Sequence, residues 1–187
     1  MSKKKGKNYI KIDKYEKKIF GINKIYYIIK INHKYNCKNK LKIKGNYKSF
    51  KNYLLKKSGI KKYLLSNKNK KFSIKMMKDK NIMKNIKDII DDTLIYNFCL
   101  KKNKLILSSS SSISNNILAK HSILCDKDPC ACGEMVIYKK YLIFNNNSGT
   151  YNPTVEDIKI IKKALPFFKI KIIDMNSDMN KKYFIRK

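Results

Sequence analysis

Arginine is nearly absent: of the 45 Lys and Arg residues in this 187-residue chain, only Arg186 is arginine. Bidentate reading of base edges, which needs the guanidinium fork, is thereby set aside, because lysine meets phosphate as a point charge. Acids are scarce at one end. The first 75 residues hold 25 lysines against Asp13 and Glu16, whereas residues 105–180 hold nine lysines against seven acids. No apolar run reaches the roughly 18 residues of a membrane-crossing helix. The opening Met1-Ser-Lys-Lys-Lys-Gly-Lys lacks the apolar stretch of a secretory signal. The five cysteines are an odd number without framework spacing, which points to a reducing intracellular compartment.

What is present is charge and enough apolar residue to fold. A net charge of +32 strains a compact state unless a polyanion neutralises it, which makes nucleic acid the first expectation and an anionic membrane surface the second. A hydrophobic content of 43% excludes wholesale disorder, and the length suits one domain. With lysine in place of arginine, binding is expected to be sequence-independent and salt-sensitive. The basic positions singled out are Lys3, Lys4, Lys5, Lys7, Lys56, Lys57, Lys61, Lys62, Lys68, Lys70 and Lys71. Tyrosines and phenylalanines between the lysines (Tyr26, Tyr27, Tyr35, Tyr47, Tyr53, Phe72) offer base stacking or core packing.

The expected organisation is a basic arm over 1–8, a basic strand and helix region over 9–102, and a strand–hairpin–helix–strand unit over 103–187. Short strands fit Tyr9 to Lys44. Phe50, Tyr53, Leu54 and Lys57 have helical spacing. The stripe Ile82, Met83, Ile86, Ile89, Ile90, Leu94 predicts an amphipathic helix capped by Asp79. A strand begins at Lys104. Glu134–Tyr138 and Tyr141–Phe144 flank a Lys139-Lys140 turn as a hairpin. Thr154 caps a helix that Pro166 ends, and a strand closes over Phe167 to Asp174. The fold class expected is α+β: a single domain with short antiparallel strands and two or three amphipathic helices.

Two clusters could carry chemistry. His121, Cys125, Cys130 and Cys132 offer four zinc ligand types, but H-x3-C-x4-C-x-C matches no common zinc motif, so no cofactor is expected. A zinc deaminase is excluded, because His121-Ser-Ile lacks the glutamate and Pro129-Cys-Ala-Cys has the wrong cysteine spacing. The second cluster is the polar loop Asn145 to Thr154. Gly149 is expected to supply a positive φ there, and the helix start beside it is a place for an anion. It is no Walker loop, having one glycine and no Gly-Lys-Ser/Thr.

The order His121-Ser, Gly133-Glu134, a hairpin, then Asn147-Ser-Gly-Thr-Tyr-x-Pro resembles a module of uncharacterised bacterial and large-DNA-virus proteins, over roughly residues 103–175. Members commonly read Ala-Gly-Glu where this chain has Cys132 before Gly133. The resemblance implies a shared fold and a pocket, with His121, Glu134 and Tyr151 as candidate catalytic groups and Asn145, Asn147, Ser148, Gly149 and Thr150 as ligand-binding positions. The Lys/Asn/Ile texture is similar to that of AT-rich giant or cytoplasmic DNA viruses. The leading expectation is a non-enzymatic, sequence-independent nucleic-acid-binding protein associated with a virion or replication. The alternatives are a small-ligand or catalytic module on His121, Glu134 and the Asn145–Tyr151 loop, or a structural interaction protein.

Overall fold

The computed structural model describes residues 9–19, 22–31, 35–43, 70–75, 81–109, 121, 124–125 and 128–185. Its elements in chain order are β1 (Tyr9–Ile19), β2 (Ile22–Lys30), β3 (Lys70–Lys75), α1 (Ile82–Lys87), β4 (Tyr96–Lys101), β5 (Lys104–Ser109), β6 (Ala131–Tyr138), β7 (Tyr141–Asn145), α2 (Val155–Ile158), α3 (Ile160–Ala164), β8 (Ile170–Ile173) and α4 (Asp178–Tyr183). All eight strands join one sheet in the order β3-β1-β2-β5-β4-β6-β7-β8. Every pairing is antiparallel except β7 with β8, whose connection runs through α2 and α3. That crossover is what a parallel pair requires.

This corrects the expected α+β class with amphipathic helices to a sheet-dominated fold. Alternation from Tyr9 onward builds strands of eleven and nine residues rather than short ones. The described helices have six, four, five and six residues. The Ile82–Leu94 stripe does not sustain one helix. Asp91 Oδ1 accepts from Thr93 N at 2.9 Å and from Thr93 Oγ1 at 2.6 Å, a local turn that competes with the helical ladder. Asp79 lies outside the described residues, and Asn81 at the start of α1 makes no side-chain cap. The proposed 50–57 helix also lies outside them.

The other end reads as expected. The Lys139-Lys140 turn joins β6 to β7, and β5 begins at Lys104. Thr154 and Asp157 form a reciprocal capping box at α2, and α3 ends at Ala164 before Leu165 and Pro166. The residue boundary at 102/103 falls in the two-residue turn between β4 and β5, and the segments on both sides contribute strands to the one sheet.

Period-two alternation gives the sheet two different faces. On one, Ile12, Tyr27, Ile29, Phe98, Leu100, Leu105, Leu107, Met135 and Phe144 form the main core with Ile82 and Ile86 of α1 and Ile158, Ile161 and Ala164 of α2 and α3. Phe98 and Phe144 meet edge to face with centroids 5.0 Å apart. The opposite face carries two smaller clusters. Tyr15, Tyr26, Ile28, Cys99, Ile106 and Cys132 pack with Leu124, Cys125 and Tyr151, and Val136, Ile143 and Ile173 pack with Tyr183 and Phe184. Both candidate sites lie on this second face.

Candidate functional site

At one end of the second face, register places lysines directly opposite one another across four neighbouring strands. Lys11 of β1 opposes Lys30 of β2, Lys30 opposes Lys104 of β5, and Lys104 opposes Lys101 of β4. Three interstrand steps span about 14 Å. Lys11 and Lys30 are exposed, and Lys104 and Lys101 are half-buried. Within the row Lys30 is answered by an acid: its Nζ lies 3.1 Å from Oδ2 of buried Asp13. Like charges held opposite each other in a ladder repel, so this row is maintained against its own electrostatics.

Of the lysines singled out from sequence, Lys70 and Lys71 lie exposed on edge strand β3, with Lys71 opposite Asp13. Lys3, Lys4, Lys5, Lys7, Lys56, Lys57, Lys61, Lys62 and Lys68 lie outside the described residues. Lys11, Lys30, Lys101 and Lys104 were missed. The alternation that marks β1 and β2 as strands was the available signal, but the long-range pairing of β2 with β5 was not. Tyr26 and Tyr27 are core residues, 2% and 1% exposed, and Tyr35 donates its hydroxyl to the Lys101 carbonyl oxygen, so none of these three is a free stacking platform.

A second constellation lies further along the same face. Reading across the sheet, Tyr15, Tyr26, Ser108, Asn97, Glu134 and Asn145 stand as successive cross-strand neighbours on β1, β2, β5, β4, β6 and β7. All six are buried. Polar side chains on adjacent strands thus form a belt through the interior of the face.

Around this belt the motif residues converge. His121 Nε2 donates to the Gly133 carbonyl oxygen at 2.8 Å. Glu134 N donates to Asn145 Oδ1 at 2.9 Å, and Asn145 Nδ2 donates to Glu134 Oε2 at 3.2 Å and to Asn180 Oδ1 of α4 at 2.6 Å. Asn147 N also donates to Asn145 Oδ1, at 3.0 Å. Gly133 must be glycine here, because a Cβ would overlap the Asn145 carbonyl oxygen of β7. Ser148 Oγ sits beside the Cys132 sulfur yet has no partner in hydrogen-bond geometry. Tyr151 packs into the cluster with Cys132, Cys99 and Cys125, and burial pushes its hydroxyl pKa upward, with Cys132 and Asp128 adding to the shift.

The site is closed rather than an open cleft. His121, Glu134, Asn145, Ser148, Thr150 and Tyr151 are all buried, Asn147 is half-buried, and only Gly149 is exposed. Gly149 does not carry the positive φ expected of it; Asn152 (φ 43°) takes the left-handed position, with its N donating to Ser148 O at 2.6 Å. The anion place at the helix start is also corrected. α2 has four residues, and Asp157 Oδ2 itself accepts from Thr154 N at 2.8 Å, putting a carboxylate where an anion would bind.

The zinc set does not assemble. Cys125 is bonded to Cys99 and Cys130 to Cys37, so neither offers a thiolate, and His121 Nε2 is engaged by Gly133. Among the described residues no group of three or more His, Cys, Asp or Glu side chains could hold a metal ion. The disulfides also correct the expectation of a reducing compartment, since four of the five cysteines are paired as oxidising conditions allow. Among the described residues no helix is long and apolar enough to cross a membrane. Set against protein-family models, curated proteins and solved structures, the chain finds no match.

Proposed function

We propose that this protein binds nucleic acid through its phosphates, without reading sequence, and that the row Lys11–Lys30–Lys104–Lys101 is part of the contact. The observation that carries this reading is the register: four lysines stand opposite one another across neighbouring strands of the sheet. A phosphate backbone relieves that repulsion and releases its own counterions, which makes affinity fall with salt. The net charge of +32 and the single arginine support the same partner read without base specificity.

The test is fluorescence anisotropy with labelled single-stranded and duplex oligonucleotides across a salt series. Four phosphate contacts give a log–log slope of about −2.8 on single strands and about −3.6 on duplex, and further basic residues steepen it. Scrambled oligonucleotides of equal length bind equally. A slope near zero, or no binding at 50 mM salt, rejects the reading.

A further inference from the structure

Asn97 occupies the middle of the polar belt, is 1% exposed, and neither its Nδ2 nor its Oδ1 has a hydrogen-bond partner. The belt is satisfied on either side of it. Tyr26 faces the Ser108 hydroxyl, and Glu134 is tied to Asn145 and through it to Asn180. The gap falls at one residue, directly between Ser108 and Glu134 in register. A third orphaned polar atom, Ser148 Oγ, lies over Cys132, which is two residues from Glu134 on the same face of β6. Buried amides left unpaired lower stability, and an apolar residue of the same shape would avoid the loss. An amide kept there at that cost marks a place where something else completes the hydrogen bonds.

We infer that Asn97, with Glu134 opposite it in register, binds a small neutral molecule that presents a hydrogen-bond donor and an acceptor side by side on one planar edge. A carboxamide or a nucleobase has that edge. The side-chain amide offers one donor and one acceptor in a plane, the pairing by which asparagine meets adenine. A carboxylate or phosphate ligand is disfavoured, because it would lie buried against Glu134. The site is separate from the lysine row, four residues further along β4, and does not depend on nucleic-acid binding. Asn97 is 1% exposed, so access requires the segments packed on this face to open.

The experiment uses the full chain with both disulfides intact and reads thermal shift and NMR titration. The probes are adenosine, uridine and propionamide, with purine riboside (no exocyclic amino donor) and propionate as mismatched controls. At least one of the first three is expected to raise Tm in a saturable way while its control does not. Response to propionamide alone assigns a carboxamide ligand, and response to a nucleoside assigns a base. Asn97→Leu should fold with Tm no lower than that of the parent chain and bind roughly ten- to hundred-fold more weakly, the loss expected of one bidentate pair. Should that variant fail to fold, Asn97→Ala takes its place and should weaken the same binding by a similar factor. No shift with any probe at 10 mM, or unchanged affinity in the folded variant, overturns the proposal and leaves the orphaned amide to ordered water only.

Discussion

Replacing Lys11 and Lys104 together by glutamine separates binding from folding. Glutamine keeps much of each aliphatic stem against the sheet and removes only the charge. Lys30 is left in place because it neutralises Asp13, whose side chain is 7% exposed. Lys11→Gln removes the Lys11/Lys30 opposition, and Lys104→Gln removes those with Lys30 and Lys101, three like-charge pairs in all. Each such pair costs at least about 0.2 kcal/mol, so the variant should gain somewhat under 1 kcal/mol at these solvated positions. For a chain of this size that raises Tm by about 1–3 °C. The affinity moves the other way. Losing two phosphate contacts makes the log–log salt slope shallower by about 1.4 on single strands and 1.8 on duplex. Between 50 and 200 mM salt the advantage of the parent chain over the variant should therefore shrink by a factor of about 7 to 12. Anisotropy titrations at four salt concentrations and a melting curve suffice. An unchanged slope removes the row from the binding surface, and a lowered Tm shows that the lysines are structural.

Three other outcomes follow from the packing. Gly133→Ala should cost more than about 4 kcal/mol, because its Cβ would overlap the Asn145 carbonyl oxygen across the β6–β7 pair; a denaturant midpoint within error of the parent chain refutes that. Opening Cys37–Cys130, which closes 93 residues, should cost roughly 4–5 kcal/mol, against roughly 3–4 kcal/mol for Cys99–Cys125, which closes 26; single Cys→Ser pairs compared by urea unfolding test the order. Burial pushes the Cys132 thiol up to about 12 from an ordinary value of 9.0, so the folded chain holds that proton after the unfolded chain has lost it. Its stabilising effect is complete below pH 9 and is lost by about 1.4 kcal/mol per pH unit between 9 and 12. Buried Tyr26, Tyr96 and Tyr151 shift in the same direction. Urea midpoints from pH 8 to 11 should fall for the parent chain and fall less steeply for Cys132→Ala, and iodoacetamide should label Cys132 only on unfolding.

Local chemistry was legible in the sequence where a short segment decides its own conformation. The hairpin over Glu134–Phe144, the Thr154 cap and the stop at Pro166 each depend on neighbours within a few residues, and each stands where the pattern put it. The helix over Ile82–Leu94 was misread because periodicity reports one apolar face but not the Asp91–Thr93 turn that interrupts it. The cysteines were misread for a related reason. Disulfide pairing depends on Cα separations, 5.7 Å for Cys37–Cys130 across 93 residues, and spacing in sequence carries no such information. Of the site, the motif residues were visible as types, while their convergence was not. His121, Gly133, Glu134 and Asn145 meet because β6 pairs with β7 and the segment at His121 lies against β6.

The same sheet register accounts for both candidate sites, and it makes them differ in kind. On the second face a shift of two residues along every strand moves from one cross-strand row to the next. The row through Lys11, Lys30, Lys104 and Lys101 is exposed or half-exposed and sets like charges opposite one another, a repulsion that a diffuse polyanion would relieve. Two rows further on, Tyr15, Tyr26, Ser108, Asn97, Glu134 and Asn145 are buried, and there the cost lies in unsatisfied hydrogen bonds rather than in charge. Cys99, Ile106, Ile28 and Asp13 make the row between them. Three of those four are apolar, and the disulfide from Cys99 to Cys125 anchors a covering segment over them. Salt screens the outer row and leaves the inner belt almost untouched. Ionic strength is therefore the variable that tells the two proposals apart: the proposed phosphate binding should weaken steeply with it, and the proposed occupancy of the Asn97 site should not.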